Sequence, residues 1–428
     1  MSDVIDSSNA SGWASDIPED WSKAWLKWNV ARVSDRPGAQ EASTLPYISN
    51  EDIESWTGKL LTDKPKPADD SESRKFSAND VLLNKLRPYL AKIFHAPFDG
   101  VSSGELLCLR PSEAVVPRYL FYVVSSKGFI DAIDAETFGS KMPRADWKIV
   151  GHQPLPLPTW DTQQQIAEFL DEKTARIDAL IAKKRALLDR LAEKRQARIT
   201  QAVTKGLDPN APTKYSDIEW LGTIPAHWER SALNKVTTKI TNGYVGPTRN
   251  MFVSEGTPYI QSLHIKSNQI VFNDDFFVTE EWSLEHSKSI LKLDDVLIVQ
   301  TGDIGQVARV TEKHVGCNCH ALIVCSSDKK KLNGAYLAWL LYSDYGQHFL
   351  NLAKTGALHP HLNCGNVKFF SVVLPPLEEQ AEIVKTLNYM VSEISEAETK
   401  TRQSIDLLME YRQSLVASAV MGRLENIS

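Results

Sequence analysis

Gln163-Gln164-Gln165-Ile166-Ala167-Glu168-Phe169-Leu170 and Gln380-Ala381-Glu382-Ile383-Val384-Lys385-Thr386-Leu387 begin the two stretches that decide the fold of this chain. Moved along by 217 positions, residues 157–207 fall on residues 374–424 without a gap, and sixteen of the 51 pairs are identical. The identities include Gln163/Gln380, Ile166/Ile383, Ile177/Ile394, Asp189/Asp406, Glu193/Glu410, Arg195/Arg412, Gln196/Gln413 and Ala202/Ala419. Gap-free matching over such a length points to one rigid element used twice. In the second copy, apolar or small residues recur at Ile383, Leu387, Met390, Ile394, Ala397, Thr401, Ile405, Leu408, Leu415 and Ala419. The first copy keeps Ile166, Leu170, Ile177, Leu180, Leu188, Leu191 and Ala202 in register. Steps of three and four are those of a helix with one buried seam. Neither copy is interrupted by Gly or Pro between 163 and 203 or their counterparts, and each follows a proline (Leu157-Pro158, Leu374-Pro375-Pro376). Forty residues of helix span roughly 60 Å. A narrow seam flanked by charge predicts a two-helix coiled coil.

The rest of the chain is organised around these helices. At 428 residues there is room for several domains with ample surface to bury. No run of 18 apolar residues occurs, so no membrane-crossing helix is expected. The polar, acidic start at Met1-Ser2-Asp3 argues against a secretory signal, and five unevenly spaced cysteines suggest reduced thiols in the cytoplasm. A disordered leader is expected over 1–16, and a globular unit over 17–156 beginning at Ile17-Pro18-Glu19-Asp20-Trp21. Within it, residues 65–73 read as an exposed loop, 80–83 and 104–109 as strands, 119–130 as a helix and 137–140 as a loop. The first long helix occupies 157–206 and stops at Lys205-Gly206; a linker follows over 207–216.

A second globular unit is expected over 217–373, and the second long helix over 374–425. Ile224-Pro225-Ala226-His227-Trp228 echoes the start of the first globule at an offset of 207. Asp295-Val296-Leu297 echoes Asp80-Val81-Leu82 at 215, and Gly356 to Pro360 echoes Gly139 to Pro143 at 217. Landmarks agree while offsets drift, so the globules share a scaffold and differ in their loops. The helices do one job twice; the globules do two different jobs.

This order resembles the specificity subunit of type I restriction–modification enzymes. Lys85-Leu86-Arg87-Pro88-Tyr89 looks like the segment common in that family's target recognition domains, and Leu374-Pro375-Pro376-Leu377-Glu378-Glu379-Gln380 looks like the start of its conserved helix. Leu157-Pro158-Thr159 lacks the second proline, and Val299-Gln300-Thr301-Gly302-Asp303 stands where the first globule has Lys-Leu-Arg. The resemblance implies a mixed α/β fold. Two globular α/β target recognition domains are each followed by a long helix, and the helices form an antiparallel coiled coil with pseudo-two-fold symmetry. Antiparallel pairing would bring Ile166 to the Ala419 end of the second helix.

The resemblance also implies a function in phage defence. Each globule would read one half of a bipartite, asymmetric double-stranded DNA target, while the helix pair sets the spacer. Two adenine methyltransferase subunits using S-adenosylmethionine would dock on the helices. A restriction complex would add two motor-nuclease subunits using ATP and Mg2+. No cofactor is expected in this chain, and Arg176, Lys183, Arg185 and Arg190 on the outside of the first helix are candidates for the methyltransferase contact or for DNA between the half-sites, with a plain solvated face as the alternative.

Reading base edges needs paired donors and acceptors, typically Arg or Lys for guanine and Asn or Gln for adenine. Candidate DNA-binding residues are Lys85, Arg87, Ser140, Lys141 and Arg144 in the first globule. In the second they are Arg249, Gln300, Gln306, Thr355, His359 and His361. The alternative is that Lys85 and Arg87 sit on a solvated strand edge or hold the domain's own carboxylates, and that the histidines are ordinary surface groups. The net charge of −6 argues against a protein that grips DNA unaided. Only residues 161–205 are clearly basic, with 10 cationic and 7 anionic side chains.

Cys317-Asn318-Cys319-His320, with His314, Cys325 and Cys364, could suggest zinc, but one residue between the first two thiols is shorter than the usual spacing, and Cys319, Ala321, Ile323 and Cys325 alternate like a strand with small buried side chains. Neither a phosphate-binding Gly-x-x-x-x-Gly-Lys-Ser/Thr loop nor an amino-methyltransferase Asn/Asp-Pro-Pro-aromatic motif is present. The expected role is therefore binding and not catalysis. A coiled-coil scaffold whose globules bind proteins is the competing reading.

Overall fold

Both long helices form, and each stops slightly short of its expected bounds at both ends: Trp160–Lys205 and Leu377–Val420, of 46 and 44 residues. At 1.5 Å per residue the first is about 69 Å long. The computed structural model describes residues 13–62, 73–137, 142–248, 251–273, 275–356 and 360–424. Most of the expected leader and of the 65–73 loop, and residues 138–140 of the 137–140 loop, lie outside these. By packing, the chain divides into two compact units, Met1–Arg185 with Arg402–Ser428, and Ala186–Thr401. The division cuts both helices, so each unit holds one globular head and a half of each helix.

In the first unit, a four-stranded antiparallel sheet runs in the order Val30–Val33, Leu106–Pro111, Val81–Asn84, Ile93–His95. A three-stranded sheet (Tyr47–Ile48, Gly100–Ser102, Arg74–Phe76) lies beside it in sequence. Leu82, Phe94, Leu106 and Cys108 pack with Ile48, Ile53 and Phe76 in one core cluster. The intervening Val81, Leu83, Leu107 and Leu109 are buried too. A strand pair, Ser22–Trp25 with Pro154–Leu157, leads into the first helix.

The second unit repeats this plan. Its four-stranded sheet runs Thr237–Asn242, Leu322–Ser327, Val296–Val299, Val307–Arg309. The pair before the helix is Glu229–Ala232 with Ser371–Leu374. Here both faces of the sheet are assigned. Val296, Ile298, Ile323 and Cys325 join a cluster with Tyr336, Leu340, Ile199, Val203, Ile383 and Leu387. Leu297, Val299, Leu322 and Val324 join another with Ile260, Ile265 and Cys319. Strand period two feeding two cores explains why these segments read as continuous apolar runs.

The expected helix over 119–130 is in fact two, Pro117–Ser125 and Lys127–Ala135. Ser126 breaks them: its backbone is extended, and its hydroxyl oxygen accepts from the Phe129 amide. Ser343, 217 positions on, does the same between Gly334–Tyr342 and Asp344–Leu352. The expected strand from Cys319 to Cys325 is also interrupted, at Ala321 with φ 45°.

The seam of the long helices differs from its sequence pattern at one matched pair. Leu180 is 43% exposed and Ala397, its counterpart, is exposed as well. On the first helix Ile177 and Ile181, one turn apart, are buried instead, because the 3.6-residue turn carries position 180 off the contact line. In the second unit the direction of pairing is explicit. Arg195 is ion-paired with Glu398 at 3.0 Å, whereas Gly206 lies beside the carboxylate of Glu379. Position rises on one helix as it falls on the other, so the pairing is antiparallel. Ile383 packs with Ile199 and Val203, and Ile166 falls in the same unit as Ala419.

Each head is tied to its helix by a buried glutamine. Gln163 Oε1 accepts from the Val116 amide at 2.9 Å, and its Nε2 donates to the carbonyls of Ala114 and Pro158. Gln380 makes the same three bonds to Asn333, Lys331 and Pro375. All three partners shift by 217. These duplicated glutamines are 1% and 0% exposed, so losing any of the three bonds would leave a buried side-chain amide atom unsatisfied. Both helices end at a glycine with positive φ: Gly206 at +76° against Trp228, and Gly422 at +64° against Trp21.

Candidate nucleic-acid interface

In each head the four-stranded sheet ends in a residue that is clamped from the loop before the final helix. In the first unit the strand Val81–Asn84 runs on into Lys85-Leu86-Arg87. The Ala145 amide donates to the Lys85 carbonyl at 3.0 Å, and the Arg87 amide donates to the Pro143 carbonyl at 2.8 Å. Leu86 and Arg144 form an antiparallel bridge. Lys85, Arg87 and Arg144 therefore share one edge. Arg87 is exposed, whereas Arg144 is ion-paired with Glu105 at 2.7 Å, the domain's own carboxylate. Ser140 and Lys141 lie outside the described residues.

In the second unit, the strand Val296–Val299 runs on into Gln300-Thr301-Gly302. The Leu362 amide donates to the Gln300 carbonyl at 3.0 Å. Gln300 matches Lys85 at 215 and Leu362 matches Ala145 at 217, so this bond recurs in both heads, while among the described residues the Arg87–Pro143 bond and the Leu86–Arg144 bridge belong to the first head alone. Thr355 and His361 exchange backbone hydrogen bonds and close the neighbouring loop. A cleft lined by Thr301, Asp303, Lys354 and His361 opens beside them. Gln306 is half-buried two residues beyond Ile304, with its amide bonded to Asp303. Arg249 and His359 lie outside the described residues.

The two sites share a backbone and not a chemistry. Arg87 sits at φ 51° and its counterpart Gly302 at φ 82°. Left-handed backbone is natural for glycine and costs an arginine about 1 kcal/mol, so the first head holds its exposed cation in a strained position. Gln300 departs from the expectation of a freely exposed reading group. It is 7% exposed, and its Nε2 donates to Asn242 Oδ1 at 2.6 Å. Asn242, the last residue of Thr237–Asn242, escaped the sequence reading because a polar residue ending a strand carries no signal of its own. Lys354 was hidden likewise, although it adjoins the singled-out Thr355. Cys364 also donates to Asn242 Oδ1, at 2.9 Å; burial raises its pKa and keeps the thiol protonated as a donor.

The thiols considered for zinc are dispersed: Cys317 and Cys319 belong to one core cluster and Cys325 to the other. Among the described residues no group of three or more His, Cys, Asp or Glu is placed to hold a metal ion, and no helix is long and apolar enough to cross a membrane.

A family model described as the type I restriction modification DNA specificity domain matches residues 38–190 and 225–407, one match per head-and-helix repeat. The chain belongs to this family. The EcoBI specificity subunit of Escherichia coli is 25% identical over 311 residues, covering 71% of this chain and 65% of that relative. The MjaVIII specificity subunit of Methanocaldococcus jannaschii is 21% identical, over 96% of this chain and 95% of its own. Among solved structures, a chain from a study of complex assembly and conformational transition of the type I R-M system superposes with a TM-score of 0.77. It is 19% identical and covers 95% of this chain and 99% of its own length. The HsdS subunit from Thermoanaerobacter tengcongensis gives 0.54, at 19% identity and covering 95% and 98% of the two chains. At these identities the structural likeness establishes the fold, two α/β heads with long helices.

Proposed function

We propose that this chain is the DNA-specificity subunit of a type I restriction–modification complex, a recognition subunit without catalysis of its own. Each head reads one half of a bipartite double-stranded target, and the helix pair sets the spacer. The observation that carries this reading is the clamped strand end present in both heads with different side chains. Lys85-Leu86-Arg87 in one and Gln300-Thr301-Gly302 in the other are what two unlike half-sites require. Cations at such an edge position the domain on phosphates or read guanine; amides suit adenine.

The chemistry then belongs to partners acting in the cytoplasm. Two adenine methyltransferase subunits would supply S-adenosylmethionine-dependent methylation, and two motor-nuclease subunits would use ATP and Mg2+. Arg176, Lys183, Arg185 and Arg190 are exposed along the first helix and suit an acidic partner surface. Arg176 is already paired with Glu172, and Arg185 approaches Glu54 at 3.6 Å.

The test is a methylation map of DNA from cells carrying this chain with its methyltransferase. The expected result is adenine methylation at one bipartite sequence, and replacing residues 17–156 with another head changes one half of it only. A scaffold that binds proteins would leave DNA unmarked and show no sequence preference at moderate salt.

A further inference from the structure

We propose that Asn242 is a specificity-determining residue that, together with Gln300, reads the major-groove edge of an adenine in the second head's half-site. The inference deepens the DNA-reading function above and rests on it. Asn242 pairs with Ile323, and Val299, just before Gln300, pairs with Leu322. The two amides therefore emerge at the same end of the sheet, on either side of the strand between them.

Their hydrogen bonds fix what each can still offer. Asn242 Oδ1 accepts from Gln300 Nε2 at 2.6 Å and from the Cys364 thiol at 2.9 Å. A carbonyl oxygen has two lone pairs, and both are taken. Were both amides turned over, Asn242 would show the acceptor and Gln300 the donor, and the pair would still present one of each. Asn242 is exposed and left with the N–H donors of Nδ2. Gln300 is 7% exposed, and among the described residues its Oε1 has no protein partner. A side chain so nearly buried, with one end bonded and the carbonyl end unmatched, is held ready for an external donor.

One donor beside one acceptor is the complement of adenine, which shows N7 as acceptor and N6 as donor. Guanine shows two acceptors there and would set its O6 against Gln300 Oε1. In the first head, the position of Gln300 is Lys85, whose ammonium cannot accept a hydrogen bond, so that head must recognise something else. Gln300 acts on Asn242 as a positioning residue as well as an acceptor.

The test selects sequences from a random duplex pool, using the full chain co-purified with its methyltransferase, for wild type, Asn242→Ala and Gln300→Ala. With Asn242→Ala, one half-site is expected to persist unchanged while the other loses preference at a single A·T position, by about tenfold or more. The substitution also leaves Gln300 Nε2 without its acceptor, so a modest fall in melting temperature is expected to accompany this, and selection is run well below it, where the variant is folded. Gln300→Ala should relax the same position, with rescue by Gln300→Glu absent because its carboxylate cannot donate to Asn242. Three results overturn the proposal: an unaltered consensus in Asn242→Ala, affinity falling equally for all sequences, or relaxation at a G·C position. A wild-type chain that selects no sequence at all would overturn the DNA-reading function itself, which is a different outcome.

Discussion

The two repeats of this chain agree atom for atom at one end of each head and part company at the other. Where head meets helix, Gln163 and Gln380 make the same three hydrogen bonds. Tyr119 and Tyr336, also 217 apart, donate to the carbonyls of Pro156 and Val373. At the far strand end, a lysine and a strained arginine in one repeat stand where the other has a glutamine and a glycine. A buried hydrogen-bond network tolerates no partial change, because every orphaned group costs about 1–3 kcal/mol. A solvent-facing loop carries no such penalty and can diverge. The duplicated part is the mounting, and the diverged part is what it presents.

The helices show an intermediate case. Arg195 and Arg412 are equivalent, yet Arg195 pairs with Glu398 and Arg412 with Asp178. By strict equivalence Arg412 would face position 181, which is Ile181, and its acid has moved one turn to Asp178. The charge is kept and its partner relocated. Arg412 also donates to the Trp56 carbonyl at 2.7 Å, joining head to helix inside the first unit.

This contrast yields the largest expected effect. Arg412→Ala leaves Asp178, whose side chain is 8% exposed, with only Lys59 and orphans the Trp56 carbonyl. It should cost about 2–4 kcal/mol. Arg195→Ala, at a pair 26% and 15% exposed, should cost about 1–2 kcal/mol. Denaturant midpoints of the two variants measure the difference, and equal losses would mean that burial does not distinguish the two pairs.

A smaller effect separates the reading ends. Gly302→Ala should destabilise by about 1 kcal/mol through backbone strain alone, since a Cβ there meets nothing within 4 Å. Arg87→Gly should relieve a similar amount while weakening DNA binding to the first half-site. Thermal melting together with salt-dependent binding would check both signs.

The smallest expected effect concerns pH. Burial, helped by Arg118, lowers the pKa of His95 to about 4 against an ordinary 6.5, while Asp171 opposes the shift. Between those values the unfolded chain takes up a proton that the folded chain refuses. This site's contribution to stability is thus constant above pH 6.5 and declines as pH falls toward 4. His95→Gln should flatten that decline in the first unit, while the second keeps its own acid-side losses at His264, His314 and His320, whose pKa values burial also lowers. Unfolding midpoints between pH 7 and 4.5 would reveal it.

How much was legible beforehand depended on whether a residue's role had a period. The long helices did: forty residues in steps of three and four, stated twice, determine two helices and their kinship. The repeat of Asp80-Val81-Leu82 in Asp295-Val296-Leu297 likewise marked the shared strand. Leu180 and Ala397 fitted the period and still face outward, because a seam on a real helix drifts and only the partner decides which side is covered. The sequence by itself thus determined the duplication, the helices and the family. Tertiary structure alone decided that Gln300 is buried, that Arg87 and Gly302 share a left-handed turn, and that Asn242, 58 positions before Gln300, is its hydrogen-bond partner. Contacts between strands distant in the chain have no period for a sequence to carry; they exist only once the sheet closes.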